Sequence, residues 1–249
     1  MSVTENIQSL FGEYLELFAH TEIFIFVFME IVTKIKTIQR VMFKKARLND
    51  YIVFVVLFGL FSIFGTYIGI PDDSGAISNI RDLAPMVAVL VAGPLAGLAV
   101  GLIGGIHRFF LGGATAIPCA IATILAGLLA GLVYRFNKGK LLGIIPSMLF
   151  ALGIETLHTM IALGMVTAMQ TFDEALQIII DTVPPMMVAV TLGVGISVII
   201  LHSTKEPCLT ETPKPPSPSP TTVHLAESGR RVLNSLVSKL VCLLQGMHV

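Results

Sequence analysis

Two arginines lie at the borders of a long apolar stretch of this chain. Arg81 precedes and Arg108 follows residues 83–106, which carry no charge and are interrupted once, at Gly93-Pro94. An arginine at membrane depth costs about 2.5 to 17 kcal/mol, so such a residue usually faces a partner or a water-filled cavity. Two of them in one bundle of membrane helices predict a pocket for an anion.

Further polar side chains are expected at the same depth. Cys119 falls early in the next apolar stretch, and Glu155 and His158, three residues apart, share one helix face. Two guanidinium groups hold a carboxylate through bidentate, charge-assisted hydrogen bonds, while a thiol or an imidazole contacts the rest of a small ligand. We therefore expect a small carboxylate ligand. In the empty state Glu155 would pair with an arginine, and the bound ligand would displace it.

Each of these residues also has a structural interpretation. Asn79 and Asp82 have the spacing of a helix N-cap with an acidic partner at N3. Arg108 could extend to the outer head groups, and Cys119 could be a small buried apolar residue. The glutamate and the histidine could form a structural hydrogen-bonded pair. Their combination at one depth is what favours a binding site.

The sequence contains no pattern typical of an enzyme or of a nucleic-acid-binding protein. Nucleotide-binding glycine loops, GxSxG and HExxH are missing, so we expect neither catalysis nor a cofactor within these residues. The cysteines, Cys119, Cys208 and Cys242, lack metal or redox spacing. Because the net charge is +0, no nucleic-acid partner is expected.

The composition is that of a membrane protein with several spans. Hydrophobic residues make up 54% and charged residues 13% of the chain, and the mean hydropathy is +0.85. A soluble domain normally has about 45–50% apolar residues. The stretches that reach the about 20 residues of a spanning helix are 51–70, 83–106, 109–134, 141–171 and 182–201. A weaker stretch, 14–33, contains Glu16, Glu22 and Glu30.

Positive charges predict the orientation. The basic residues between positions 34 and 47 indicate a cytoplasmic segment before the first strong span. A single helix through 83–106 would place the later basic residues outside, against the same rule. Splitting the stretch at Gly93-Pro94 predicts one helix from about 76 to 92 and another from 94 to about 110. Six helices then follow residue 50, and 14–33 is a seventh span or an amphipathic segment on the inner surface.

Glycines recur every four positions in these stretches. Gly97, Gly101 and Gly105 repeat in one predicted helix, and Gly127 and Gly131 in the next. Small residues at this spacing let helix backbones approach closely, which is a main source of attraction between helices in lipid. The pattern predicts close helix packing and is not specific to any function.

The chain divides into four predicted regions. Residues 1–50 hold the N-terminal hydrophobic helix and the basic cytoplasmic segment, and residues 51–203 form the transmembrane domain. A proline-rich run predicts a stiff, extended linker at 204–222. Apolar residues at helical spacing then predict an amphipathic helix at 223–249, which could lie on the inner leaflet, pair with itself or dock a partner.

Several motifs together resemble the LytS-type sensor transmembrane region, the 5TMR-LYT family. They are Asn79-Ile80-Arg81, the Gly93-Pro94 break, His107-Arg108 and the Gly112-Gly113 turn, in this order. The resemblance covers about residues 17 to 203. It implies an all-α polytopic membrane protein whose six-helix bundle is similar to the S-component of energy-coupling-factor (ECF) transporters. It also implies a sensor of a two-component phosphorelay that responds to extracellular pyruvate or to cell-wall and membrane state.

The resemblance implies site residues as well. The two arginines and the cysteine of pyruvate-sensing members correspond to Arg81, Arg108 and Cys119. The shared motifs add Asn79 and His107 to the candidate ligand-binding residues, and Thr123 is a further candidate.

This chain departs from the family pattern at two points. A hydroxyl residue that should follow the cysteine by one turn is replaced by Ala122, with Thr123 beside it, which counts against pyruvate itself. In addition, no phosphoacceptor or ATP-binding domain fits between Ser203 and Val249. We therefore expect a sensor without a catalytic half: a stand-alone receptor, a split-gene partner or a truncated product.

The leading hypothesis is a multi-pass plasma-membrane receptor. It would bind a small extracellular carboxylate and signal to a cytoplasmic kinase or another partner. A second copy of the chain, in a homodimer, is a further candidate partner. The alternative is an S-component-like solute uptake protein, which would carry labelled ligand across the bilayer where a sensor would not. A third hypothesis is a ligand-free regulator of murein turnover that senses membrane state.

Overall fold

The computed structural model describes residues 3–71, 77–168 and 170–205. The chain forms two compact units, Met1–Val198 and Ile199–Val249, and only residues 199–205 of the second are described. The predicted amphipathic helix at 223–249 lies outside the described residues, as does the predicted linker at 204–222 except for its first two residues, which end a helix.

Helices account for nearly all of the described backbone. They are α1 (Val3–Val32), α2 (Lys36–Met42), α3 (Leu48–Tyr67), α4 (Leu83–Ala92), α5 (Pro94–Leu111), α6 (Ala116–Phe136), α7 (Ile144–Val166) and α8 (Phe172–Lys205). A short antiparallel pair, β1 (Ile70–Pro71) and β2 (Ile77–Ser78), lies between α3 and α4.

The predicted all-α polytopic architecture is confirmed. In the described part of the chain, α3, α5, α6, α7 and α8 are long and apolar enough to cross a membrane, and α4 adds a shorter apolar helix. These are the six helices expected after the basic segment. The similarity to ECF transporter S-components remains what the resemblance implies.

The first helix packs against α3 through phenylalanine rings. Phe28 stacks on Phe61 with ring centroids 4.0 Å apart, and Phe24 lies 4.8 Å from Phe64. Ile25 of the same helix is fully buried. Because earlier residues of α1 contact later residues of α3, the two helices run antiparallel. The α1 helix is not among the described helices that are long and apolar enough to cross a membrane, so a seventh span stays a prediction.

The predicted chain reversal at Gly93-Pro94 is confirmed. Gly93 has φ 91°, in the left-handed region that favours glycine, and Pro94 is the first residue of α5. The helix before this corner is shorter than predicted, however. It begins at Leu83 instead of near position 76, because residues 77–82 are non-helical.

The expected capping role of Asn79 and Asp82 is wrong. Asp82 occupies the N-cap of α4, but its side chain makes no capping hydrogen bond within the described structure. The side-chain oxygen of Asn79 instead accepts a hydrogen bond from the Arg81 backbone N–H at 3.1 Å. Asn79 therefore shapes the non-helical segment that carries Arg81.

The predicted glycine packing is confirmed at the contact of α5 with α6. A Cβ added at Gly105 would lie 2.7 Å from the carbonyl oxygen of Ala120, and one at Gly101 would lie 2.9 Å from that of Thr123. A Cβ at Gly127 would collide with the backbone of Gly97. Real side chains do not fit at such distances, so glycine permits these two helices to approach as closely as they do.

Candidate functional site

The site is built around the non-helical segment 78–82, in which every residue is buried. The Ile80 N–H donates to the carbonyl of Gly65 at 3.3 Å, and the hydroxyl of Ser62 donates to the Arg81 carbonyl at 3.1 Å. Irregular backbone at membrane depth is tolerated only where protein or a water-filled cavity surrounds it. The α3 helix supplies that surrounding, with Gly65 leaving room for the segment.

Arg81 points into the bundle and is fully buried. Its Nε donates to the Thr123 hydroxyl at 2.7 Å and lies 3.7 Å from a carboxylate oxygen of Asp82, while Nη1 lies 3.5 Å from the Thr66 hydroxyl. The other terminal nitrogen, Nη2, has no hydrogen-bond partner among the described residues. Gly104 provides the space, since a Cβ there would lie 3.4 Å from the Arg81 side chain.

Arg108 is also buried, with 1% of its surface exposed, so it does not extend to the head groups. Its Nη1 donates to the carbonyl of Gly112 at 2.5 Å, and its Nη2 donates to the Thr115 hydroxyl at 3.0 Å. Its Nε is buried and lacks a hydrogen-bond partner in the described structure. Arg108 thus ties the end of α5 to the turn that begins α6.

A connected row of polar groups joins three elements beside these arginines. The Nδ1 atom of His158 lies 2.8 Å from Asp82 Oδ2, and its Nε2 atom lies 3.3 Å from the sulfur of Cys119. The Thr123 hydroxyl contacts the other Asp82 oxygen at 2.5 Å. Cys119 is also within electrostatic reach of both guanidinium groups. Five of the predicted site residues, Arg81, Arg108, Cys119, Thr123 and His158, therefore come together.

Glu155 does not make the expected ion pair with an arginine. It is fully buried, but neither carboxylate oxygen has a hydrogen-bond partner within the described part of the chain. Its closest charged neighbour is His158, at 3.8 Å from Nδ1, which is too long for the hydrogen-bonded pair considered above. Since α7 begins at Ile144, Glu155 lies at the middle of that helix, deeper than its predicted position in the outer half.

His107 and Asn79 lie at the edge of this group. The His107 ring is half-exposed, and its Nε2 atom lies 3.2 Å from the hydroxyl of Tyr67. Asn79 acts on the backbone of Arg81, as described above. These two residues support the site from outside instead of joining its buried row.

Thr123, which follows Ala122 directly, presents a hydroxyl group to the site. Its side chain is fully buried and lies 2.9 Å from the carbonyl of Cys119, one helical turn earlier. Ala122 therefore does not remove the hydroxyl from the site, because Thr123 presents one on the same face of α6 as Cys119.

Sequence reasoning missed the central role of Asp82. This residue contacts His158, Thr123 and Arg81, and so takes the place expected for Glu155. A signal was present, because Asp82 directly follows an arginine at the edge of an apolar stretch. The supporting hydroxyls of Thr66 and Thr115 carried no such signal.

Asp82, Glu155 and His158 also form a group that could hold a metal ion, because their ligand atoms lie within 4.8 Å of one another. The neighbouring Arg81 opposes this, since its Nε is 3.7 Å from Asp82 and would repel a divalent cation. The arrangement is better suited to an anion. Two buried guanidinium groups each retain one unpartnered nitrogen there, within the described residues.

Comparison with known proteins relates this chain to membrane sensors. A family model described as 5TMR of 5TMR-LYT matches residues 35–204. The sensor histidine kinase BtsS of Escherichia coli (strain K12) is 32% identical over 160 residues, covering 62% of this chain and 28% of BtsS. The sensor protein LytS of Bacillus cereus is 35% identical over 124 residues, covering 43% of this chain and 21% of LytS. The sensor histidine kinase YpdA of Escherichia coli (strain K12) is 40% identical over 85 residues, covering 33% of this chain and 15% of YpdA.

The chain therefore spans less than a third of the length of each of these relatives. No solved structure matches it.

Proposed function

The chain belongs to the 5TMR-LYT family of multi-pass membrane sensor regions, and from that premise we propose that it binds a small extracellular carboxylate and signals to a cytoplasmic partner. The relatives named above are sensor proteins, two of them named as histidine kinases, so the proposed partner is a kinase or another component of a two-component system. Pyruvate and a link to cell-wall regulation belong to this proposal, as does a homodimer.

The observation that carries the proposal is the pair of incompletely bonded guanidinium groups. Within the described structure, Nη2 of Arg81 and Nε of Arg108 are buried N–H groups without an acceptor. A buried donor on a charged group that lacks an acceptor is costly. A carboxylate between the two arginines would supply the missing acceptors and offset part of their positive charge.

The site is suited to a ligand of few atoms. Protein groups already surround most of the Arg81 guanidinium: Thr123 accepts a hydrogen bond from Nε, Asp82 lies 3.7 Å from the same nitrogen, and the Thr66 hydroxyl lies 3.5 Å from Nη1. The thiol of Cys119 is within electrostatic reach of both arginines, which supports a contact with the part of the ligand beyond its carboxylate. Acids of about two to four carbons match these limits.

Binding would act on the turn between α5 and α6. Arg108 holds that turn through Gly112 and Thr115, and a bound carboxylate would compete for the same guanidinium group. A ligand shifts a conformational equilibrium only by binding one state better than the other. We propose that the two states differ in whether Arg108 holds this turn, and that release of the turn on binding transmits the signal.

Replacing either arginine by lysine should weaken binding. Lysine keeps the positive charge at each position, but it cannot reproduce the fork of N–H groups. Because a hydrogen bond to a charged group contributes about 1.5–3 kcal/mol, Arg81→Lys and Arg108→Lys should each raise the Kd roughly ten- to hundredfold. Calorimetric titration of the purified full chain with a panel of two- to four-carbon acids measures this.

The matched control is Arg135→Lys, because Arg135 is exposed at the end of α6. It should bind as the unchanged chain does. Unaltered affinity in both site variants would overturn the proposal, and so would the absence of binding by any acid.

The alternative is an S-component-like uptake protein. The non-helical segment before α4 favours it, because many transporters form solute sites where helices are interrupted within the membrane. Cells that express the chain would then accumulate labelled acid, and Arg108→Lys would abolish the accumulation. Binding without net flux would reject uptake in favour of sensing.

A further inference from the structure

The row Cys119, His158 and Asp82 has the order of a catalytic triad. The sulfur of Cys119 lies 3.3 Å from Nε2 of His158, and Nδ1 of the same ring lies 2.8 Å from Asp82 Oδ2. A nucleophile, a base and a group that orients the base occur at these positions in enzymes that activate a thiol or a hydroxyl. The three groups lie on different elements, so the tertiary structure alone brings them together.

The two hydrogen bonds assign complementary roles to the imidazole nitrogens. A carboxylate only accepts hydrogen bonds, so Nδ1 carries the proton that is donated to Asp82. Nε2 then presents its lone pair to the thiol and can take the proton from sulfur. The Thr123 hydroxyl, in contact with Asp82 Oδ1, holds the carboxylate in this orientation.

The charges around Cys119 favour a thiolate and an anionic reaction partner. The thiol is within electrostatic reach of both Arg81 and Arg108. Cationic neighbours stabilise a thiolate, which is the nucleophilic form of cysteine. Their unpartnered nitrogens, Nη2 and Nε, are the only buried side-chain nitrogens of arginine without an acceptor in the described structure, and they can hold an incoming anion.

We propose that Cys119 is a nucleophile that captures small carboxylates by reversible covalent addition to an electrophilic carbonyl carbon next to the carboxylate. This inference rests on the proposed function, because the arginines must first bind the acid. It adds that the bound acid forms a bond to sulfur, so 2-oxo acids are preferred over acids of the same size that lack the carbonyl.

The step is balanced without an oxidant or a reductant. The thiol proton passes to Nε2 of His158, and the sulfur electron pair forms a C–S bond to the carbonyl carbon. The π electrons of the carbonyl move to its oxygen, which receives the proton back from His158. The product is a thiohemiketal, and the same steps in reverse release the unchanged acid.

The reactivity of Cys119 can be measured before any ligand is known. A Cys208→Ser/Cys242→Ser chain, with Cys119 as its single cysteine, is alkylated with iodoacetate or with neutral iodoacetamide. Thiolates in water react more slowly with iodoacetate because the charges repel. Cys119 should instead react faster with iodoacetate, since the arginines attract it. A slower reaction with iodoacetate, as in free cysteine, would refute an anion-directed nucleophile.

His158→Gln should slow this alkylation at least about tenfold, because a general base typically contributes about 10²–10⁴-fold. A circular dichroism melt checks that the variant is folded. If the variant does not fold, the relative rates of iodoacetate and iodoacetamide in the chain with intact His158 still test the proposal. An unchanged rate in folded His158→Gln would show that the imidazole does not activate the thiol.

Covalent capture itself is measured with a 2-oxo acid labelled with ¹³C at its carbonyl. In the full chain, the ¹³C resonance of the bound acid should move from the carbonyl region to the region of a tetrahedral carbon. In Cys119→Ser, the resonance of the bound acid should stay in the carbonyl region. Binding of the oxo acid without this movement would reject the covalent step and leave the proposed receptor function intact. If neither the oxo acid nor the matching hydroxy acid binds, the proposed function itself fails.

Discussion

Asp82→Asn should lower the free energy of unfolding by about 3–5 kcal/mol, the cost of removing one partner from a buried ion pair. The carboxylate of Asp82 lies 2.8 Å from His158 and 3.7 Å from Arg81, and all three side chains are buried. Asparagine has nearly the same shape but no charge. It would leave the guanidinium group of Arg81 without a compensating charge in a low-dielectric interior. Reversible denaturant or thermal unfolding in detergent measures the loss.

Asp173→Asn is the matched control, because Asp173 is exposed in the first turn of α8 and should change stability by less than about 0.5 kcal/mol. A double variant, Asp82→Asn with His158→Gln, should be less destabilised than the sum of the single variants, since the two residues are in contact. Additive losses, or an unaffected Asp82→Asn, would contradict the central role assigned to this carboxylate.

Gly127→Leu should prevent the chain from folding in the membrane. The nearest neighbours of Gly127 are the backbone carbonyl carbon and oxygen of Gly97, which a Cβ alone would already overlap. Backbone atoms cannot move aside as the end of a side chain can. Overpacking a core usually costs about 1–3 kcal/mol and occasionally more, and a leucine here would force α5 and α6 apart along their contact. The measurement is the yield of monodisperse protein after membrane extraction.

Gly153→Leu provides the comparison. Gly153 lies on the exposed face of α7, and a Cβ there would meet no described atom within 4 Å. Leucine at a lipid-facing position is favourable, so this variant should express at least as well as the unchanged chain. Equal yields of the two leucine variants would mean that the α5 and α6 backbones are not in the close contact described here.

The same close packing positions the proposed site. Gly101 and Gly105 hold α5 against the first half of α6, which carries Cys119 and Thr123. Gly104, on another face of α5, leaves room for the Arg81 side chain. The glycines that seemed to serve packing alone therefore also set the distance between the arginines and the thiol.

The architecture of this protein could be predicted from its sequence. The bilayer fixes the length of a span, so apolar stretches identified the long helices, and basic residues limited how the chain could reverse between them. The corner at Gly93-Pro94 was predicted for a local reason, because glycine and proline suit the end of one helix and the start of the next. Burial of Arg81 and Arg108 followed from the cost of placing a charge in lipid.

The pairing of the polar residues could not be predicted in the same way. The structural alternative paired His158 with Glu155, three residues away on its own helix, but its partner is Asp82, which is 76 positions distant. A periodic pattern gives the face on which a residue lies, whereas a hydrogen bond depends on how each helix is rotated against its neighbours.

The non-helical segment before α4 has the largest effect on the geometry of the site. The split at Gly93-Pro94 predicted a helix from about position 76, yet α4 begins at Leu83 because the preceding residues bond to α3 and to the β1 strand. This non-helical segment turns Arg81 and Asp82 into the bundle, next to Thr123 and His158. The sequence by itself therefore determined which chemical groups lie within the membrane. Only the tertiary structure decided which of them touch, because those contacts join residues far apart in the chain.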